Sequence, residues 1–349
     1  MAIDYPLIWA FVLAIGVMMY VLLDGFDLGV GMLTIRARSE EERNMMTATI
    51  EPVWDGNETW LIIGGGGLFA AFPTAYAIIM PAFYLPVLLM LAALIFRGVA
   101  FEFRHKAVRP LTKRFWNGAF AGGSFAAAFA QGIMLGGMVQ GIAVEDGAFA
   151  GGALDWLTPF TLLTGLSVPV GYLLLGSCWL VLKTEGAMFL RARKWALVAL
   201  AGVSFCFFAV SLATLAVDAS IGERWGFSMQ HIDFATLLPL SPVPLTGMAL
   251  CVWLARDLWM KPGANAAPDW RPFVLAAGIF ITGYFGIGLS LYPYIVPFEL
   301  TVWEAAARDN ALGFMLVGAV IMLPVILLYT AYVYRLFWGK VKPGDGYHA

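Results

Sequence analysis

Apolar residues along this chain run together in long blocks, without the every-third-or-fourth spacing of a helix that hides one face in a soluble core. Nine such blocks can be drawn, at 7–34, 57–72, 75–101, 117–140, 157–182, 195–216, 237–255, 272–293 and 311–337. Most approach the roughly 20 residues a helix needs to cross a bilayer. The second block is short and holds four consecutive glycines, 64–67. Only "FPTAY" separates it from the third, which fits a tight helical hairpin. The pattern predicts an all-α, polytopic membrane protein of nine spans, folded as a single transmembrane domain over 1–349.

Polar positions between the blocks test the count. Basic residues gather after block one (Arg36, Arg38, Arg43), block three (Arg104, Lys106, Arg109, Lys113, Arg114) and block five (Lys183, Arg191, Arg193, Lys194). They gather again after block seven (Arg256, Lys261, Arg271) and block nine (Arg335, Lys340, Lys342), which leaves only Arg97, Arg224 and Arg308 of the 21. Lys and Arg favour the cytoplasmic side. Nine spans with a periplasmic N-terminus and a cytoplasmic C-terminus satisfy every loop, and eight would break the alternation.

Composition agrees: 61% of the 349 residues are hydrophobic and only 13% are charged. A soluble domain carries about 25% charged residues. No basic stripe with interleaved aromatics marks a nucleic-acid partner. Cys178, Cys206 and Cys251 all sit in apolar runs without a CxxC pair, which argues against disulfides and thiolate metal sites. The start "MAIDYPLIW" lacks a basic leader and a cleavage site, so the first span is expected to stay in place. The outer loops at about 217–236 and 294–310 look amphipathic.

Against this background the acids stand out. Asp24 and Asp27 are three apart, on one face of the first span. They precede Arg36 by twelve and nine residues, roughly 18 and 13 Å along a helix. A carboxylate at that depth costs several kcal/mol unless paired, protonated or hydrated. Asp55 and Glu58 in "WDGNETW" repeat the spacing as the second block enters from the same side. Asn57 adds an amide, and Trp54 and Trp60 flank the set. Arg97, seven residues before Arg104, lies at comparable depth and is the candidate counter-ion.

Such residues can also do plain structural work. Acid–arginine pairs fasten helices together, and Asp55 could cap the second helix. Yet four carboxylates against one arginine leave an excess of charge or of protons, as a proton-uptake path requires. The glycine run has no phosphate-loop spacing and reads as helix packing. Gly118/Gly122 and Gly137/Gly141 have the spacing of close helix contacts. Pro81, Pro86, Pro169 and Pro324 should bend their helices. Histidine is absent from every span: His105, His231 and His348 all fall in loops or at the terminus. A membrane haem is normally held by axial His, or His with Met, so this chain is expected to bind no haem.

Taken together, "DGFDLGVGML", "WDGNETWLI" with the following "GGGLFAAFP", "FRGVAFEFR", "YPYIVP" and "LPVILLYTAYVY" resemble, in order and over the whole chain, subunit II of the cytochrome bd-type quinol oxidases, including the cyanide-insensitive branch. The resemblance implies two four-helix bundles plus a peripheral helix in the bacterial inner membrane. It implies a heterodimer with a subunit I that holds two b-type haems and one d-type haem and oxidises quinol, with room for a small single-helix accessory subunit. This chain would carry no cofactor and would meet lipid and quinone, not nucleic acid. By the same resemblance Asp55, Asp24 and Asp27 lie on a cytoplasmic proton route, and Trp60 lies near a candidate dioxygen path. Glu58 stands where well-known members have Gln, and the loop between spans six and seven is short. The rival readings are a stand-alone proton-coupled transporter and a purely structural anchor subunit.

Overall fold

The computed structural model describes residues 3–217, 219–227, 233–260 and 268–341. Lys261, Lys342, His231 and His348 lie outside the described residues. The chain folds into fourteen α-helices with two short hairpins among the described residues. In order these are α1 (Tyr5–Leu33), α2 (Glu40–Ala48), α3 (Trp54–Glu58), α4 (Trp60–Ala71), α5 (Pro73–Ala82), α6 (Tyr84–Lys106) and α7 (Pro110–Gln140). Then follow α8 (Pro159–Lys183), α9 (Gly186–Val217), α10 (Ala219–Arg224), α11 (Phe234–Leu240), α12 (Pro242–Trp259), α13 (Arg271–Leu291) and α14 (Asp309–Leu336). Strands β1 (Val144–Glu145) and β2 (Ala148–Phe149) pair antiparallel, as do β3 (Tyr294–Val296) and β4 (Leu300–Thr301).

Proline chemistry sets most of the breaks. Pro86 has no N–H to donate and its ring crowds the carbonyl four residues back, so α5 stops at Ala82. Pro73 biases Phe72 away from helical dihedrals and ends α4. Pro242 and Pro244 end α11 at Leu240 in the same way, bending α11 by 44° from α12. Caps hold other ends: the Asp4 carboxylate accepts from Leu7 N–H at 3.1 Å, and Thr158 with Thr161 forms a reciprocal capping box on α8.

Each of the nine sequence blocks coincides with a helix or a broken pair, but not every one is long and apolar enough to span alone. Seven described helices are long and apolar enough to cross a membrane, and eight if α11 and α12 make one broken span. The second block is the exception. Its apolar part, α4, has 12 residues and reaches only about 18 Å. Block three also begins with the separate helix α5, and its long part, α6, runs on through His105 to Lys106.

Helix α8 is the hub, buried along most of its length between α1, α7 and α9, whereas α14 buries only Leu312. Where α1 crosses α8, a Cβ on Gly29 would lie 1.9 Å from the Tyr172 carbonyl oxygen, so nothing larger than glycine fits. Gly176 of α8 meets the Gly29 backbone from the other side. By contrast, Gly118 and Gly122 face open space, and Gly141 is the positive-φ residue that ends α7. Gly118 and Gly122 therefore make no close helix contact within this chain, whereas Gly137 is closely approached by the Phe83 ring. The main core surrounds α8 at the Lys/Arg-rich end; a second core links α5, Trp9, Val296 and Leu312 at the other.

Candidate functional site

The first span presents its acids to the interior. Asp24 and Asp27 are both fully buried. Arg97, reaching across from α6 and itself 1% exposed, donates from Nη1 to Asp24 Oδ1 at 2.6 Å. Its guanidinium also stands 5.6 Å from the Trp54 ring, a cation–π contact that supports the charge where water is scarce. Asp27 is served from α3: Asn57 Nδ2 donates to Asp27 Oδ2 at 2.7 Å and to the Leu23 carbonyl at 3.3 Å. Tyr334 of α14 completes this arm by donating from its hydroxyl to Asn57 Oδ1 at 2.8 Å.

The balance is incomplete. Asp24 Oδ2, Asp27 Oδ1 and Arg97 Nη2 are buried without a hydrogen-bond partner among the described residues. Buried polar atoms in folded proteins are nearly always paired with protein or water. Three orphans within one cluster leave unmet hydrogen-bond capacity at the centre of the site.

The remaining acids form a gradient outward. Glu58 is half-buried at the end of α3, and Asp55, in its first turn, is exposed. Val53 holds the N-cap of α3 without any side-chain capping bond, so Asp55 does not serve as a cap. Trp60 is buried in the first turn of α4, and its Nε1 has no hydrogen-bond partner among the described residues.

Sequence reasoning missed the groups behind Asp24. Tyr20 lies one turn before it on α1, and Gln131 Nε2 of α7 donates to the Tyr20 hydroxyl at 3.0 Å. Tyr172 of α8 in turn donates to Gln131 Oε1 at 2.6 Å. The signals were a lone mid-block amide and a tyrosine at helical spacing from an acid. Neither carries a recognisable pattern on its own.

The family model described as cytochrome bd terminal oxidase subunit II matches residues 5–337. The chain belongs to that family. It is 30% identical to the cytochrome bd-I ubiquinol oxidase subunit 2 of Escherichia coli strain K12, over 98% of this chain and 97% of the relative. It is 29% identical to the cytochrome bd ubiquinol oxidase subunit 2 of Bacillus subtilis, over 94% of this chain and 95% of the relative. The fold matches a chain of the bd oxidase from Geobacillus thermodenitrificans with a TM-score of 0.75, at 15% identity, covering 96% of this chain and 99% of that one. Family membership makes the chain a subunit of a bacterial inner-membrane oxidoreductase. It gives the stand-alone transporter no support.

Proposed function

We propose that this chain is the haem-free subunit II of a bd-type quinol oxidase, built as two four-helix bundles with α14 peripheral and the N-terminus periplasmic. It pairs with a haem-bearing subunit I, in a complex that oxidises quinol and reduces dioxygen to water. Its own work is to complete the buried interface and to pass protons inward from the cytoplasmic side. Asp55 and Glu58 collect them, Asp27 and Asp24 hold them at depth, and Arg97 limits the charge that accumulates. Trp60 borders a candidate dioxygen path. Because protons are consumed from inside while quinol releases its own outside, the complex builds a proton-motive force without a pump.

The observation that carries this reading is the gradient from exposed Asp55 through half-buried Glu58 to fully buried Asp27 and Asp24, ending in unpartnered carboxylate oxygens. A purely structural ion pair would be closed and satisfied. His105 sits in the last turn of α6, its ring 6.4 Å from that of Phe101. In this reading the redox groups, two b-type haems and one d-type haem, belong to subunit I.

A reduced-minus-oxidised spectrum of the tagged chain tests the assignment. Haem bands should co-purify with a larger second subunit from native membranes and vanish when this chain is expressed alone. Haem retained by the isolated chain would contradict it.

A further inference from the structure

Helix α14 poses a problem of its own. It packs against the rest of the chain with a single buried residue, Leu312, near its start. At its other end Tyr334 nevertheless reaches the deepest polar cluster in the molecule, with its ring edge-on to Trp179 at 6.1 Å and its hydroxyl 2.8 Å from Asn57 Oδ1. The direction of that hydrogen bond follows from chemistry. The Leu23 carbonyl, 3.3 Å from the Asn57 amide nitrogen, can only accept, so the amide must turn its NH2 towards Leu23 and Asp27. The amide oxygen then faces Tyr334, whose hydroxyl must be the donor.

We propose that Tyr334 is a positioning residue that, together with the Leu23 carbonyl, holds the Asn57 amide so that it offers a donor to Asp27 and thereby favours the ionised carboxylate. The opposite amide orientation would point an oxygen at Asp27, and only the protonated acid could then hydrogen-bond to it. The Leu23 carbonyl favours the first arrangement and the Tyr334 hydroxyl, donating to the amide oxygen, reinforces it, so α14 acts on the acid through Asn57 without touching it. The other charged groups around Asp27 are Asp24 on α1, Arg97 on α6 and Glu58 on α3. None of them can set the amide's direction, since none bonds to Asn57. This inference rests on the reading of Asp27 as a proton-holding group, but its primary readout does not.

The test uses the assembled, haem-bearing complex. Infrared difference spectroscopy reads the carboxylic-acid C=O band, assigned to Asp27 by its loss in Asp27→Asn. Tyr334→Phe keeps the ring against Trp179 and removes the hydroxyl. It should lower the ratio of ionised to protonated Asp27 by about ten-fold at fixed pH, the effect of one hydrogen bond to a charged network. Tyr332→Phe, exposed on the same helix, should leave the band unchanged. In an Asn57→Ala background Tyr334→Phe should have no further effect, because its route to Asp27 is already cut. An unchanged band in the single variant, or loss of the assembled complex, overturns the inference. A shifted band with unchanged oxygen reduction upholds it and removes Asp27 from the proton route.

Discussion

The molecule carries two sets of acid–arginine contacts made of the same residue types, one deep between α1, α3 and α6, the other on the rim where α2 meets α6, α7 and α9. On the rim Glu40 pairs with Arg43 and accepts from Asn117 at 3.2 Å, while Glu42 pairs with Arg191 and accepts from Arg38 N–H at 2.5 Å. Arg104 donates to Thr47, Asn44 and Asn117 at 2.7, 2.9 and 3.1 Å. These rim acids reach solvent, and of their carboxylate oxygens Glu40 Oε2, 3.5 Å from Lys113 Nζ, lacks a hydrogen-bond partner among the described residues. The deep site keeps three orphaned atoms and two acids per arginine. Both sets use i, i+3 spacing, so spacing does not separate a fastening from a working site. The two sets differ in burial and in the number of unmet hydrogen-bond groups.

The largest effect should come from removing the deep arginine. Arg97→Leu leaves Asp24 buried and unpaired, which typically costs about 3–5 kcal/mol. The yield of assembled, haem-bearing complex should collapse. Adding Asp24→Leu should recover assembly but not oxygen reduction; recovery of both would make the pair a mere fastening.

Next in size is Asp27→Asn, which keeps shape and hydrogen bonding while removing the acid. Oxygen consumption per haem should fall at least ten-fold, about 1.4 kcal/mol in barrier. The complex should still assemble with normal haem content. Asp55→Asn should act more mildly, since Asp55 is exposed and Glu58 stands beside it. It should slow oxygen reduction more than it lowers haem content, and a parallel loss of both would class Asp55 as structural.

The smallest effects belong to the rim. Burial pushes the Glu40 carboxyl up, but Arg43, Lys113 and the Asn117 amide outweigh it and hold the group below its ordinary value. Burial likewise opposes ionisation of Glu42, and the Arg38 N–H and Arg191 prevail. A carboxyl depressed in the folded state stabilises above its unfolded value and loses that contribution as pH falls through the folded value. Thermal stability of the complex should therefore decline as pH drops below the ordinary glutamate value of about 4.3. Glu40→Gln with Glu42→Gln should flatten that decline, at a cost near neutral pH of about 0.5 kcal/mol per partly exposed pair. A pH response unchanged by both substitutions would assign it elsewhere.

How far the sequence spoke depended on contrast. Asp24, Asp27 and Arg97 were legible because a charge in an apolar run has no neutral background to hide in. Tyr20, Gln131, Tyr172 and Tyr334 were not, because tyrosine and a single amide are ordinary in membrane helices and act here only through tertiary partners. Helix α9 begins at Gly186, before the apolar block at 195, since its first turns carry Arg191 to Glu42 on the rim and Arg193 to the carbonyls that end α12. Polar residues there mimic a loop. Spacing also names a face but not its neighbour: Gly118 and Gly122 meet nothing within this chain, while Gly29 and Gly176 make a close crossing.

The central claim, that the deep acids of this chain carry protons consumed in oxygen reduction, is most directly tested in a single turnover. Fully reduced complex bearing Asp27→Asn, with unaltered haem content, is mixed with oxygen in the presence of a pH-indicating dye. Proton uptake slowed in step with oxygen reduction is the result this account predicts. Uptake at the unmodified rate would contradict it and leave the buried acids as structural fastenings.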